Sequence, residues 1–373
     1  MNDRSDGFSL EEISRERNGD MLRILEESPI ETRGLTIAFD RAPDIFAIPE
    51  LFANRVACAG FLKGRELFGF AMLSSQRRFV NGEPRPVAYY GSAHAKAEGR
   101  GHGFMYRISD RLFQGHDEGA EIGYAVVMTG NEAAERFIGR RMSAYPNLPY
   151  SRVIASLSAR NILILARKKE SGTTRVRSAT LADVDVVVSL LQEEFRHRLF
   201  APVIDRETFL ENAARRPGCA ISDHYVAERD GRIVGTCAAW DMGRLQQTRI
   251  VRYGPKLKLA KRGHAILARL AGLPPWPEEG EAIKSVTVTD CAVRNRDPEI
   301  LEALLLRVYN DSRERKFHML TVGSCLQDPL LRATRRFISF GVLSKIVLLA
   351  KDPSVLAEGR LDASLPYVDL AML

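Results

Sequence analysis

The feature that most constrains the fold is an order of elements that occurs twice. Strand-like runs and helical periodicities follow the order β-α-β-β-β-α-β-α-β over residues 33–167, and again over 175–350 with one extra helix. Each copy contains a dipeptide typical of tight hairpins, Asn81-Gly82 in the first and Asp230-Gly231 in the second. The pattern predicts an α+β protein of two similar domains, each a mixed central β-sheet flanked by helices.

The predicted boundary between the copies is a short linker of charged and small residues without an apolar side chain. A length of 373 residues also favours two domains, since a single core rarely grows beyond about 250–300 residues. The predicted division is an N-terminal extension at 1–31, a first domain at 32–168, a linker at 169–174, a second domain at 175–352 and a C-terminal tail at 353–373. For the acidic extension, a helical segment and a solvated tail remain alternatives.

The composition excludes several classes of protein. Hydrophobic residues make up 45% and charged residues 27%, which is ordinary for a globular chain and excludes disordered, collagen-like and disulfide-dense classes. We expect no transmembrane helix, because no run of 18 apolar residues occurs, and no leader peptide, because the first residues are polar and acidic. The scattered cysteines predict buried, reduced thiols in a cytoplasmic protein. They are Cys58, Cys219, Cys237, Cys291 and Cys325.

The charge and the histidine spacing argue against two further classes. The net charge of +7 is compatible with anionic ligands but too mild to indicate nucleic-acid binding, so we expect no nucleic-acid partner. The seven histidines show neither HxxxH nor HExxH spacing, so we expect no metal site. No GxSxG motif of a hydrolase nucleophile occurs.

The sharpest local signal is a glycine-rich turn, Gly99-Arg100-Gly101-His102-Gly103, between a predicted strand and an amphipathic helix. A helix N-terminus presents unpaired backbone N–H groups and a partial positive charge, and glycines let the backbone approach a phosphate closely. Such a turn is suited to a pyrophosphate. It is neither a Walker loop nor a dinucleotide fingerprint, because the GK[ST] and GxGxxG spacings are absent.

This turn and the order of elements resemble the GCN5-related N-acetyltransferases. That family marks its acetyl-CoA loop as Gln/Arg-x-x-Gly-x-Gly/Ala, and Gly101 and Gly103 match its glycines, whereas Glu98 stands at its first position. A second family motif is matched by Asn131, Ala134 and Phe137, and Ile138 stands where the family often has a tyrosine. The resemblance covers 33–167 well and 175–350 more weakly.

The resemblance implies an acyl-CoA co-substrate, most simply acetyl-CoA, and acyl transfer to a primary amine of a small molecule or a protein. A non-catalytic acyl-CoA-binding or scaffolding protein of the same fold is the alternative. The residues to which the resemblance assigns the CoA contacts are Ala93, Ala95, Gly99, Arg100, Gly101, His102, Gly103, Phe104 and Asn131.

Acyl transfer to an amine needs a group that removes a proton from the ammonium and a group that protonates the departing thiolate. The candidate bases are His94 and Tyr90 on the central strand, Glu121 at the start of the next strand and Glu98 beside the turn. A lone histidine on a strand is more often structural, so a structural role is the alternative for His94. Tyr124, Tyr145 and Tyr150 are candidate acids, and each is equally a core or rim aromatic.

The second copy departs from this pattern at the turn. Its sequence there is Val293-Arg294-Asn295-Arg296-Asp297-Pro298, with no glycine, and Asp297 places a negative charge where a diphosphate would lie. We therefore predict that the second domain is degenerate for CoA. It also contains an insertion at 243–280 with eight basic and two acidic residues, for which an anionic surface, packing on its own domain and a substrate lid are alternatives.

Overall fold

The structure is a computed structural model that describes residues 7–32, 34–100, 102–115, 119–140, 142–170, 172–271, 275–357, 361 and 364–373. It contains a 12-stranded mixed sheet with helices on both faces, and a separate 4-stranded sheet. The strands of the first half are β1 (Phe8–Glu12), β2 (Ile30–Thr32), β3 (Leu35–Asp40), β4 (Arg55–Lys63), β5 (Glu66–Val80), β6 (Glu83–Ala95), β7 (Ile122–Met128) and β8 (Tyr150–Leu163). Its helices are α1 (Asn18–Glu26), α2 (Ala47–Phe52), α3 (Phe104–Phe113) and α4 (Glu132–Glu135).

The second half repeats this alternation with longer helices. Its strands are β9 (Arg175–Ser178), β10 (His224–Arg229), β11 (Arg232–Trp240), β12 (Gln247–Tyr253), β13 (Ala282–Ile283), β14 (Ser285–Val293), β15 (Met319–Cys325) and β16 (Ser339–Ala350). Its helices are α5 (Val184–Arg196), α6 (Arg206–Arg215), α7 (Pro255–Ala271) and α8 (Pro298–Glu314).

The halves share one sheet because each gives its last strand to the other. The strand order is β1-β4-β5-β6-β7-β16-β8-β15-β14-β11-β10-β9. β16, from the end of the second half, pairs with β7 of the first, and β8, from the end of the first half, pairs with β15 of the second. β8 and β16 also pair with each other along their whole length, from Tyr150 with Ala350 to Ile162 with Ser339. The predicted sheet of each copy is therefore completed by the other copy.

Local sequence signals explain the turns and helix starts. Asn81, Gly82, Asp230 and Gly231 all have positive φ, as a two-residue hairpin turn of this kind requires. Asp183 accepts a hydrogen bond from the Thr180 amide at 2.8 Å in a capping box before α5. The two predicted hairpin turns are confirmed.

Each face of the sheet has its own core. On one face of the first half, α3 buries Phe104, Ile108 and Leu112 against β4, β5 and β6. On the opposite face, α1 buries Met21 and Ile24. In the second half, α8 and α5 bury their apolar sides on opposite faces in the same way. The first-half sheet thus lies between α3 on one face and α1 on the other.

The described part of the acidic extension decides between its two alternatives: it contains the helix α1, which is packed in a core, and β1, which pairs with β4, so it is not a solvated tail. The closing region of the first copy is the single strand β8. Residues 364–373, predicted as part of a tail, are packed inside the molecule, with Ala371 1% exposed. In each case long-range pairing decided the outcome, which local periodicity does not report.

The basic insertion forms β12 and α7, and β12 pairs with β3 of the first half in the 4-stranded sheet β13-β12-β3-β2. α7 packs on its own half, since Ala268 is buried and the His264 ring stacks on Trp276 with centroids 5.3 Å apart. Two of its lysines are paired with glutamates that follow the helix: Lys258 with Glu279 and Lys261 with Glu278. A contact with an anionic surface stays a prediction.

Candidate functional site

A gap opens in the first half where two parallel strands separate. β6 and β7 pair over Val87–Tyr90 and Ile122–Ala125, and beyond these residues the strands continue to Ala95 and Met128 without pairing with each other. Directly after the last pair, β6 has a bulge: Gly91 lies opposite Met72 and His94 opposite Phe70, with Ser92 at φ 49°. A bulge leaves one residue outside the ladder and turns its backbone groups away from the partner strand. The gap therefore begins beside backbone that is not committed to the sheet.

The glycine-rich turn lies at the far end of the same strand. β6 ends at Ala95, a short 3-10 turn covers Ala97–Gly99, and α3 begins after Gly103 at φ 69°. A Cβ at Gly103 would also lie 3.3 Å from the Tyr145 hydroxyl, so both the backbone angle and the limited space favour glycine at this position. The N-terminus of α3, with its partial positive charge, thus follows the end of β6 that lies beyond its pairing with β7.

The residues expected to contact CoA lie together around this opening, except for Gly101, which is outside the described residues. Ala93 and Ala95 follow the bulge, and the Arg100 Nε donates to the Ala95 carbonyl at 3.1 Å. His102 is exposed and its ring lies 4.8 Å from Phe8 of β1, so the N-terminal strand flanks the turn. Gly99 and Phe104 are buried beneath the turn.

Asn131 follows β7, on the other side of the gap. Its side-chain oxygen accepts a hydrogen bond from the Ala134 amide at 3.2 Å and caps α4. The Phe137 ring lies 5.2 Å from Tyr106 of α3. The motif residues therefore hold α4 beside α3, and the capping bond is a structural explanation for Asn131 that stands beside its predicted ligand contact.

A buried polar cluster surrounds the bulge. Arg41, which follows β3 and is 6% exposed, donates to three oxygens: Gln246 Oε1 at 2.6 Å, Ser92 Oγ at 3.1 Å and the Leu373 carbonyl at 3.1 Å. Gln246 belongs to the second half and Leu373 to the last described segment. The site in the first half is therefore built with groups from both halves of the chain.

His94 lies next to this cluster, with its ring 5.5 Å from Phe70. Burial of the ring, and second the charge of Arg41, lower the pKa of His94 to about 4. The imidazole is therefore neutral at pH 7 and accepts protons weakly.

The other three candidate bases lie elsewhere. Tyr90 faces α3, where Ser109 Oγ donates to its hydroxyl at 2.9 Å, and burial raises its pKa to about 12. Glu121 is exposed before β7, at the end opposite the gap, and its carbonyl accepts from the Lys351 amide at 3.0 Å. The structure does not bring His94, Tyr90 and Glu121 together, and Glu98 is exposed on the turn.

The candidate acids differ in the same way. Tyr124 is fully buried and stacks on Phe200 with centroids 4.8 Å apart, and burial raises its pKa. Tyr150 begins β8, opposite Ala350. Tyr145 lies against Gly103 and stacks on Tyr106 at 6.0 Å. Of the three, Tyr145 is placed at the turn.

The second half has the same strand geometry, but different side chains surround its bulge. β14 and β15 pair in parallel over Ser285–Val288 and Met319–Val322, and a bulge follows at Asp290, φ 46°. Asp290 is 4% exposed, lies 2.6 Å from Arg216 Nη1, and has its pKa held well below the usual range by Arg216 and by His224 at 3.5 Å. The bulge that adjoins an open gap in the first half therefore holds a buried ion pair here.

The C-terminal segment fills the rest of this second gap. The Tyr367 amide donates to the Leu199 carbonyl at 2.7 Å, and the Pro366 carbonyl accepts from Cys325 of β15. Leu370 packs where a side chain at Gly323 would stand, so only glycine fits there. Residues 364–373 thus occupy the place that a ligand would take between β14 and β15.

The turn of the second half is held in place by ion pairs. Asn295 and Arg296 have φ of 56° and 50° without being glycine, and Arg296 is ion-paired with Glu194 and Asp328. A cavity of about 430 Å³ lies between this turn and α5. The buried and half-buried charged side chains that line this cavity are paired with one another. Arg198, like Arg296, forms ion pairs with Glu194 and Asp328. We place the candidate site at the first bulge for that reason.

Residues that sequence reasoning missed are Arg41, Ser92, Gln246 and Met372. Their roles come from contacts between distant parts of the chain, and no motif marks them. Within the described residues, no cluster of three or more histidine, cysteine or acidic side chains is arranged to hold a metal ion. No helix of that part of the chain is long and apolar enough to cross a membrane.

Comparison with known proteins shows the fold. No protein-family model and no curated protein matches the sequence. Among solved structures, a GCN5-related N-acetyltransferase from Sphaerobacter thermophilus has a TM-score of 0.54 and 12% identity, with 98% of both chains covered. N-myristoyltransferase of Saccharomyces cerevisiae with bound myristoyl-CoA has a TM-score of 0.59 and 11% identity over 94% of this chain and 81% of that one.

A GCN5-related N-acetyltransferase from Anabaena variabilis has a TM-score of 0.51 and 11% identity over 92% of this chain and 73% of that one. The chain has the GCN5-related N-acetyltransferase fold, as its sequence motifs predicted.

Proposed function

We propose that the protein is an acyl-CoA-dependent N-acyltransferase that transfers an acetyl group to a primary amine, with its active site in the first half. The observation that carries the proposal is the gap between β6 and β7, with a bulge at Ser92 at its inner end and the glycine turn before α3 at its outer end. The likeness to N-acetyltransferases of the same fold supports it.

In this proposal the pyrophosphate of CoA binds at the N-terminus of α3, on the backbone around Gly103. The pantetheine arm lies along the gap, so the thioester carbonyl reaches the bulge, where a backbone N–H polarises it. The neutral amine attacks the carbonyl carbon, the tetrahedral intermediate collapses, and the C–S bond breaks. The amine proton passes to water and the CoA thiolate takes a proton, so that amide and free thiol are the products.

His94 has a limited role in this scheme. Because its pKa is about 4, it is neutral over the working pH range and positions the amine or a water by accepting a hydrogen bond. Tyr145 lies beside Gly103, at the pyrophosphate end of the proposed site, so the thiolate takes its proton from water in this scheme. Tyr90 and Glu121 have no role in the proposal, because neither faces the gap.

Two measurements test the proposal. Calorimetry with acetyl-CoA should show binding of one molecule per chain, and a thiol assay with a panel of primary amines should show CoA release that requires both substrates. Absence of acetyl-CoA binding by the folded protein would overturn the proposal.

A non-catalytic acyl-CoA-binding protein is the second candidate, favoured by the low pKa of His94 and by Ile138 at the family's tyrosine position. Binding without amine-dependent thiol release across the panel would select this candidate.

A further inference from the structure

A small cavity adjoins the bulge on the face that α2 covers. It is lined by the bulge residue Ser92, by Tyr89 and Met72 of the two strands, by Ile48 and Phe52 of α2, and by Met372 of the C-terminal segment. Its volume is about 10 Å³, counted as the space open to the centre of a water-sized sphere. A single water molecule needs about 10–15 Å³ by this measure, so the cavity has room for one methyl-sized group.

The walls of this cavity are fixed by the packing around them. Ile48 is 1% exposed and Met72 3% exposed. The Met372 sulfur accepts a hydrogen bond from Arg78 Nη2 at 3.3 Å, and Arg78 is itself 2% exposed. Close-packed side chains of this kind do not move apart without loss of contacts, so a larger group would not enter by local adjustment.

The position of the cavity decides which group enters it. A CoA thioester that lies in the gap brings its acyl end to Ser92, at the rim of the cavity. The acceptor amine has to enter from solvent and leave as the amide, and a space of about 10 Å³ is too small to admit it. A cavity of this size beside the thioester therefore fits the methyl end of a short acyl group better than the acceptor.

We propose that this cavity is the acyl pocket, and that Met372 and Phe52 limit the acyl group to acetyl. The inference rests on the proposed function. It assigns the C-terminal segment a part in the first-half site, because its residue Met372 forms one wall.

The test measures binding of acetyl-, butyryl- and hexanoyl-CoA by calorimetry, in the wild type and in Met372→Ala and Phe52→Ala. The wild type should bind acetyl-CoA at least ten-fold more tightly than hexanoyl-CoA. Each variant should reverse or remove that preference, because every methylene that finds apolar space contributes about four-fold to affinity. Met142→Ala, the same change at a 44% exposed methionine outside the cavity, is the matched control and should leave the preference unchanged.

The outcomes separate this proposal from the one on which it rests. Equal binding of all three thioesters by the wild type would overturn the acyl-pocket assignment and leave the acyltransferase proposal standing. Binding of none by the folded wild type would overturn both. If the variants alter the KM for the amine and leave the acyl preference unchanged, the cavity belongs to the acceptor and the proposal is wrong. Phe52→Ala keeps the test decisive if Met372→Ala does not fold.

Discussion

The two bulges of the sheet have the same backbone geometry and opposite surroundings. Each follows four parallel residue pairs and places one residue at a positive φ, Ser92 in the first half and Asp290 in the second. Ser92 adjoins a gap that leads to a glycine turn, whereas Asp290 is sealed in an ion pair with Arg216 beneath residues 364–373. The same strand geometry thus borders the proposed ligand site in the first half and a buried ion pair in the second, and the surrounding side chains make the difference.

The largest expected effect distinguishes the two bulge residues. Asp290→Asn leaves the buried Arg216 without its charged partner and should lower the free energy of unfolding by about 3–5 kcal/mol. Ser92→Ala removes one neutral acceptor of Arg41 and should cost about 1 kcal/mol. Urea denaturation of both variants measures the difference. Equal losses would show that the two bulges are structurally equivalent after all.

A second expected effect concerns Asp369, which lies near Asp290 and caps the turn that follows it. Burial raises the pKa of Asp369 from 3.8 to about 6, so the folded state binds its proton more tightly than the unfolded state does. The protonated carboxyl group therefore contributes to the free energy of unfolding below pH 4. This contribution, about 3 kcal/mol in total, is lost as pH rises through about 6.

Asp369→Asn keeps a side-chain oxygen that can accept the capping hydrogen bond, and it removes the carboxyl group that titrates. Relative to this variant, the wild type should therefore become less stable between pH 4 and pH 7, as measured by urea denaturation at several pH values. Parallel stability curves for the two proteins over that range would contradict the assignment.

The third expected effect tests the turn of the first half. Gly103→Val forces a β-branched residue into the left-handed region and places it against Tyr145, so acetyl-CoA affinity should fall by about ten-fold or more. Gly231→Val introduces the same strain, about 1–2 kcal/mol, in a hairpin of the second half where nothing surrounds the added carbon. Calorimetry should show affinity lost in the first variant and retained in the second. A similar loss in both would mean that the turn acts only through stability.

The smallest expected effect is on His94. Arg41→Met removes the second cause of its low pKa, so the pKa should rise but stay below the ordinary value near 6.5, because burial is the larger cause. An NMR titration of the ring protons measures this shift. Arg78→Met, which removes another buried arginine, is the control and should leave the pKa of His94 unchanged. A rise to the ordinary value in Arg41→Met would show that burial is not the main cause.

Local features of the fold were predictable from the sequence and long-range ones were not. Asn81-Gly82 and Asp230-Gly231 form turns because their own backbone preferences require it, and Asp297 caps α8 because it precedes Pro298. The exchange of β8 and β16 depends on pairing between distant segments, which periodicity does not record. The cluster at Ser92 joins Arg41 to Gln246, and no spacing rule connects residues so far apart. The glycine turn was therefore predictable and the polar cluster beside it was not.

The exchanged strands have a consequence for synthesis on the ribosome. β7 and β8 flank an empty place in the sheet until β16 has been made, because Ser339–Ala350 pairs with both of them. The first half therefore leaves the ribosome tunnel with two unpaired strand edges, and these edges attract other chains while they are exposed. Long-range pairing of this kind also slows folding. In a crowded cell, a second nascent copy that offers its own β16 would satisfy the same edges, so intertwined dimers are the characteristic misfolded product to look for.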